Sequence, residues 1–459
     1  MMDVVVPRGP PASAQHALGY GSAIGQLAGI MACRGTPRSS NRSAIGPAWT
    51  RIALGCVSVA LKGPIRLGVT RDGVVGLAGH RPLLTGKLVE HGCIDSSQKQ
   101  IRQKYLAPSG VTWKSRLLRA VTYREILTIM RRKIALFATG GTISMVIDKS
   151  ANAAVPSLNG RNLLNLIPHI SHFADVDVFD VSLVGGSQIT PDMIFTLRSR
   201  VDALLASDLQ YDGVVVTQGT DTIEEASYMM DLLLETTKPV VHTAAMRNNS
   251  EVGPDGLRNL IAAILTAASP SAANMGVLVV ANDQIYGAVD VMKTHTLNSA
   301  TFAAPDRGPL GYVMLDRERV VLFHSSIIRQ KIRPTRIRNN IPIIKFGFGM
   351  DASLFSAALD QGCDGVVLEA AGAGNGPEDA EPVLERARQS GIPVVLASRC
   401  PAGFVADIYG YPGAGKRLTS RGAILAQGLS AVKARVKLML LLGTGADMEA
   451  IRMAFEYLY

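Results

Sequence analysis

From Lys133 onward, short apolar runs alternate with segments of helical period, and that alternation leaves few folds open to the chain. Ile134 to Ala138, Val176 to Val184, Gly213 to Thr217, Pro239 to Thr243 and Gly276 to Ala281 read as strands. Between them Arg161 to Ile167, Pro191 to Leu205, Ile223 to Glu235 and Leu257 to Ala268 read as helices, the third with Ala226, Met230, Leu233 and Leu234 on one side. Unbroken apolar strands suit burial on both faces, and strand-helix alternation predicts a parallel sheet covered by helices on either side. Residues 316–340, rich in Arg and Lys, interrupt the pattern. A second unit follows, with strands near Ile341 to Phe346, Gly365 to Glu369 and Ile392 to Ala397, and a final helix pair over Ala423 to Leu442 and Asp447 to Leu458. The expected fold class is therefore α/β: a large parallel-sheet domain over 130–318, a link over 319–340, and a smaller α/β domain over 341–459 of a size to fold alone.

The first quarter differs in composition. Residues 1–132 hold 19 Lys and Arg against 5 Asp and Glu, while the rest of the chain holds 28 against 32, so the net charge of +10 comes from the part without recognisable organisation. That distribution removes the usual argument from basicity to a nucleic-acid partner for the remainder. Pro, Gly, Ser and Arg cluster at Arg8 to Ala12 and Arg34 to Arg42, and the apolar run from Ile52 to Leu61 is broken by glycine and too short to span a bilayer. Residues 1–129 are expected to be a poorly structured basic extension or a misassigned start, with the working protein beginning at Met130. The N-terminus lacks the order of regions that marks a secretory signal, so the expected location is cytoplasmic, with no membrane partner. Cys33, Cys56, Cys93, Cys363 and Cys400 are odd in number and irregularly spaced, against a disulfide framework, and His91-Gly92-Cys93 has no second ligand pair, so no metal is expected.

Two strings sit where open α/β sheets bind ligands, just past the C-terminal ends of strands: Thr139-Gly140-Gly141-Thr142-Ile143 and Thr217-Gln218-Gly219-Thr220-Asp221-Thr222. Thr222-Ile223-Glu224-Glu225 fits a capping box, which would place Thr220 and Asp221 at a helix N-terminus. Gly140 and Gly141 permit close approach of the backbone, and the amides of Gly141, Thr142 and Thr220 are the expected oxyanion donors. A threonine hydroxyl needs a base to act as nucleophile at neutral pH, and Lys293 can reach the same sheet edge. Taken singly, these threonines read rather as turn and cap residues and Lys293 as a solvated charge.

The strings have collinear companions: Gly186-Ser187-Gln188, Ala245-Met246-Arg247, Asp255-Gly256 with Asn259-Leu260, Gly276 to Val280 with Asn282-Asp283, Lys293-Thr294, Gly308 to Tyr312 and Ala373 to Gly376. On these strings residues 133 to about 445 resemble the bacterial-type L-asparaginases, the asparaginase/glutaminase family of threonine amidohydrolases. The resemblance implies hydrolysis of L-asparagine to L-aspartate and ammonia, with a minor action on glutamine, without metal or organic cofactor. Thr142 would be the nucleophile that forms an acyl ester. Thr220, Asp221 and Lys293 would activate water and move protons, with Ser187, Gln188, Gly219 and Asp221 binding the substrate. It also implies a homotetramer, a dimer of intimate dimers, with each site completed by a neighbouring subunit.

The chain departs from the family pattern at four places. The lid from Ser144 to Gly160 has no tyrosine, Gln218 stands where many members have histidine, no neighbour-subunit carboxylate is evident around Asp407 to Gly415, and Pro377 replaces a polar residue. Gly410 to Lys416 has phosphate-loop spacing, but Arg417-Leu418 occupies the place of the magnesium-binding hydroxyl. Two other functions fit the strings: an asparaginase-like subunit of a tRNA-dependent amidotransferase, and a non-catalytic amino-acid-binding protein on the same scaffold. The sparse aromatics of residues 1–129 weigh against the first.

Overall fold

The computed structural model describes residues 131–168, 170–324 and 330–456, together with three short strands between residues 66 and 87. Those three, β1 (Arg66–Val69), β2 (Val74–Ala78) and β3 (Leu84–Lys87), form an antiparallel sheet within a separate N-terminal unit. The sequence pattern had suggested no order there. The remainder of the expected extension, including the proposed start at Met130, lies outside the described residues.

The second unit begins with β4 (Lys133–Gly140), followed by a hairpin of β5 (Met145–Asp148) and β6 (Ala153–Pro156), then α1 (Gly160–Asn165) and β7 (Asp175–Val184). Next come α2 (Pro191–Ala206), β8 (Gly213–Thr217), α3 (Ile223–Leu233), β9 (Val240–Thr243), α4 (Gly256–Ala268) and β10 (Val277–Ala281). β7, β4, β8, β9 and β10 lie side by side in that order and run parallel. β11 (Gln284–Gly287), β14 (Gly311–Met314) and β15 (Arg319–Leu322) extend the sheet antiparallel, while β12 (Met292–Lys293) and β13 (Phe302–Ala303) form a separate small hairpin. The sheet thus continues to Leu322, inside the segment expected to be a link from residue 319.

Both faces of the sheet's centre are covered, which is why β4, β8 and β10 carry no polar alternation, whereas the edge strand β7 alternates Asp175, Asp177 and Ser182 with apolar residues. Ile134 and Leu136 of β4 pack with Leu163, Leu260 and Ile264, whereas Ala135 and Phe137 pack with Leu197, Val201 and Met229 on the other side. α2 starts at a Thr190 hydroxyl that accepts from Met193 N, with Pro191 at its first position.

The smaller domain is a parallel sheet in the order β16 (Ile343–Lys345), β17 (Val366–Ala370), β18 (Val394–Ser398) and β19 (Ile424–Leu425), with α5 (Ser353–Asp360), α6 (Ala380–Gln389), α7 (Gly415–Ser420), α8 (Ala431–Thr444) and α9 (Met448–Glu456). The helix expected from Ala423 is instead β19 and a turn, and α8 begins only at Ala431. One face of this domain has a core of its own, around Phe346, Phe355 and Leu368, while the other is shared: Ala434, Leu438 and Leu441 of α8 belong to the same apolar cluster as Met230 and Leu233 of α3. The two domains are therefore joined by buried apolar surface, which the sequence pattern of two units did not reveal. The phosphate-loop look-alike is filled internally, since Glu381 accepts from Gly413 N and makes a two-pronged pair with Arg417. Among the described residues no helix is long and apolar enough to cross a membrane.

Candidate active site

The order β7-β4-β8 is a topological switch, because the chain leaves β4 toward one side of the sheet and returns on the other. A crevice opens at such a point beyond the carboxyl ends of the strands. Three loops meet there: the one after β4, the one after β7 around Gly186-Ser187-Gln188, and the one after β8. They touch backbone to backbone. A Cβ on Gly141 would fall 2.3 Å from Gly219 N, and a Cβ on Gly219 would fall 2.3 Å from Gly186 Cα. Gly219 has an ordinary backbone (φ −74°), so its lack of a side chain answers to space alone. Gly219→Ala is expected to lower unfolding free energy by about 1–3 kcal/mol through overpacking, read from urea melts. An unchanged midpoint would mean that the three loops do not meet as described.

This junction brings Thr142 and Thr220, each the next residue after a contacting glycine, to one crevice. Thr142 is half-buried and opens a single turn of 3-10 helix, as does Thr220, which is 5% exposed. The first amides of such turns have no partner within the turn. Gly141 differs from expectation: its N–H donates to Val184 O at 2.8 Å, so it is occupied in holding the β4 and β7 loops together and does not serve as an oxyanion donor. Thr139 is likewise structural, its hydroxyl donating to Thr217 O at 2.8 Å.

Lys293 arrives from β12. Its Nζ donates to Thr220 Oγ1 at 2.9 Å and to Asp221 Oδ1 at 2.7 Å, which gathers three of the expected catalytic side chains into one chain of hydrogen bonds. The Asp221 side chain remains 57% exposed, leaving a carboxylate at the mouth of the crevice. Ser187 and Gln188 are also exposed there, although Gln188 Oε1 is engaged by Gly185 N at 2.9 Å. The capping box is not formed. Thr222 makes no side-chain cap, and its hydroxyl donates to Gly186 O at 2.8 Å, tying the β8 loop to the β7 loop. Gln218 completes this floor, its Nε2 donating to Thr222 Oγ1 and its Oε1 accepting from His242 Nδ1. Burial holds the His242 ring neutral, with its pKa depressed to about 3.

The segment after Thr142 is the β5–β6 hairpin, closed at its base by Ser144 O, which accepts from Ser157 N and Leu158 N. Asn249 fastens it to the neighbouring loop, with Nδ2 donating to Ile143 O at 2.7 Å and N–H donating to Met145 O at 3.1 Å. Among the described residues no group of three His, Cys, Asp or Glu side chains converges as a metal site.

Residues 133–328 match the family model described as asparaginase, N-terminal, and residues 340–455 match the glutaminase/asparaginase C-terminal domain. The chain belongs to the asparaginase family. It is 31% identical over 315 residues to an L-asparaginase of Bacillus licheniformis, a match covering 69% of this chain and 97% of that one. It is 33% identical over 330 residues to L-asparaginase 2 of Escherichia coli strain K12, covering 70% and 92% of the two chains. Among solved structures, a probable cytoplasmic L-asparaginase of Campylobacter jejuni superposes with a TM-score of 0.63 at 30% identity, over 71% of this chain and 99% of that one.

In this asparaginase-family chain, sequence reading missed the charged groups beneath Lys293. Glu224 Oε2 accepts from Lys293 N at 3.0 Å, and burial raises the pKa of its carboxyl. Glu225 is pushed up from 4.5 to about 7, first by burial and then by Glu224, and its Oε2 has no partner among the described residues. The motif Glu224-Glu225 was visible; its burial was not. Because Glu225 binds its proton more tightly in the fold than when unfolded, its contribution to stability is fullest below pH 4.5 and is lost as pH rises through about 7. Glu225→Gln is therefore expected to raise the melting temperature at pH 8 and to change it little at pH 4.5. Calorimetry at the two pH values checks this, and equal shifts at both would refute the buried-carboxylate account.

Proposed function

We propose that the chain hydrolyses L-asparagine to L-aspartate and ammonia through a threonine ester, with Thr142 as nucleophile. The observation that carries this reading is Lys293 Nζ bridging Thr220 Oγ1 and Asp221 Oδ1 at the loop junction next to Thr142. The Thr142 oxygen attacks the side-chain amide carbon, and its proton passes to the nitrogen that leaves as ammonia. Water then attacks the ester, restoring the Thr142 hydroxyl and releasing the carboxylate. A lysine that donates to Thr220 Oγ1 stabilises negative charge developing on that oxygen as it gives up its own proton. The exposed Asp221 carboxylate suits the substrate ammonium, and the Ser187 hydroxyl suits its α-carboxylate. Thr142 N and Thr220 N are the amides left to face the oxyanion.

Glutamine is one methylene longer and is expected to turn over more slowly in the same crevice. The working form is a homotetramer, a dimer of intimate dimers in which a neighbour closes each site, and its location is cytoplasmic. Ammonia release from L-Asn, L-Gln and D-Asn, measured on the whole chain and on one starting at Met130, tests the reading. Turnover of L-Asn by both is the expected result. Binding of L-aspartate without any ammonia release would favour a non-catalytic amino-acid-binding protein, and co-purification with tRNA would favour the amidotransferase subunit. Light scattering on the same samples tests the tetramer.

A further inference from the structure

The strand that carries Lys293 is anchored from the smaller domain. Lys433, near the start of α8, is 1% exposed, and its Nζ donates to Val289 O at 2.9 Å and to Val291 O at 2.6 Å. Both carbonyls belong to the turn that leads into β12. From the larger domain Glu224, at the start of α3, accepts the Lys293 N–H at 3.0 Å. Lys293 is thus gripped through its own amide and through carbonyls two and four residues before it.

Burying an ammonium is costly unless it is paired and hydrogen-bonded, and lysine is seldom fully buried. Here the ammonium lies within electrostatic reach of the carboxyl groups of Glu224, Asp290 and Glu225, and 6.0 Å from the centre of the Tyr228 ring. Two carbonyls of one tight turn point at the same donor, which an apolar side chain of equal length would leave without a partner. The consequence lies at the other end of β12, where Lys293 Nζ must meet two acceptors, Thr220 Oγ1 and Asp221 Oδ1, at once.

We infer that Lys433 and Glu224 are positioning residues for Lys293, clamping the Val289–Lys293 segment so that its ammonium sits between Thr220 and Asp221. The catalytic consequence rests on the amidohydrolase reading above; the clamp itself does not. It also means that the smaller domain takes part in the site of its own chain, through α8, without touching substrate.

The test uses the full chain with Lys433→Met, which keeps side-chain length and removes the ammonium, and with Glu224→Ala, which removes the acceptor of the Lys293 N–H should the first variant fail to fold. Amide hydrogen exchange by mass spectrometry is read on peptides covering 288–294 and 213–217, since exchange reports local opening. The clamp predicts exchange at least about tenfold faster in the first peptide and unchanged in the second. It further predicts a kcat for L-asparagine lower by about ten- to a hundredfold with KM within about threefold, as expected when a catalytic group is misplaced by about 1 Å. Unchanged exchange over 288–294 in a folded variant, or kcat within about twofold of the parent chain, overturns the inference. Faster exchange in both peptides also overturns it, because it would reveal general core support. Absence of ammonia release from the parent chain would instead sink the amidohydrolase reading, while the exchange data would still decide whether the clamp exists.

Discussion

Replacing Thr142 by alanine is expected to reduce ammonia release from L-asparagine by about three orders of magnitude or more, as removal of a covalent nucleophile does elsewhere. The loss should appear in kcat, because Ser187 and Asp221, the groups proposed to hold the substrate, lie on other loops. Hydroxylamine supplies a second measurement: it should intercept the ester of the parent chain as a hydroxamate and find none in Thr142→Ala. Thr139→Ala is the matched control, since its hydroxyl is tied to Thr217 O and deleting it should weaken the fold without removing the chemistry. Hydroxamate formation that survives Thr142→Ala would move the nucleophile elsewhere, with Thr220 the next to test.

Lys293→Met is expected to lower kcat by about a hundred- to ten-thousandfold, the range for losing a group that manages protons in the transition state. The variant leaves Thr220 Oγ1 and Asp221 Oδ1 without the donor that joins them. Binding of L-aspartate, measured by calorimetry, should change far less than kcat, because the lysine bonds to Thr220 and Asp221 and is not itself proposed to contact the substrate. Should kcat fall less than about threefold, Thr220 would have to act without the lysine, and the proposed proton path would be wrong.

The strand-helix order and the two threonine strings were legible in the sequence because both are local. Each string directly follows a run of buried strand residues, so its position at the sheet edge needs no tertiary information. What was misread depends on distant partners. The Thr222 hydroxyl matched a local capping pattern, yet Gly186 O, 36 residues away, is its acceptor. Gly141 was expected to turn its amide toward substrate, and Val184 O takes it. Lys433 carries no motif at all, and its acceptors lie 144 and 142 residues earlier in the chain. The two-residue strand Ile424–Leu425 is too short to impose a period, and so merged with the helix that follows it.

The contact of Gly141, Gly219 and Gly186 without intervening side chains bears on how such a crevice can be re-engineered. Loops that meet through side chains can be retuned one rotamer at a time, whereas here a carbon added at Gly141 or Gly219 must push apart the very loops that define the crevice. Variation aimed at a new amide substrate therefore belongs at Ser187, Gln188 and the β5–β6 hairpin. A library that randomises the three glycines would mostly sample misfolded chains.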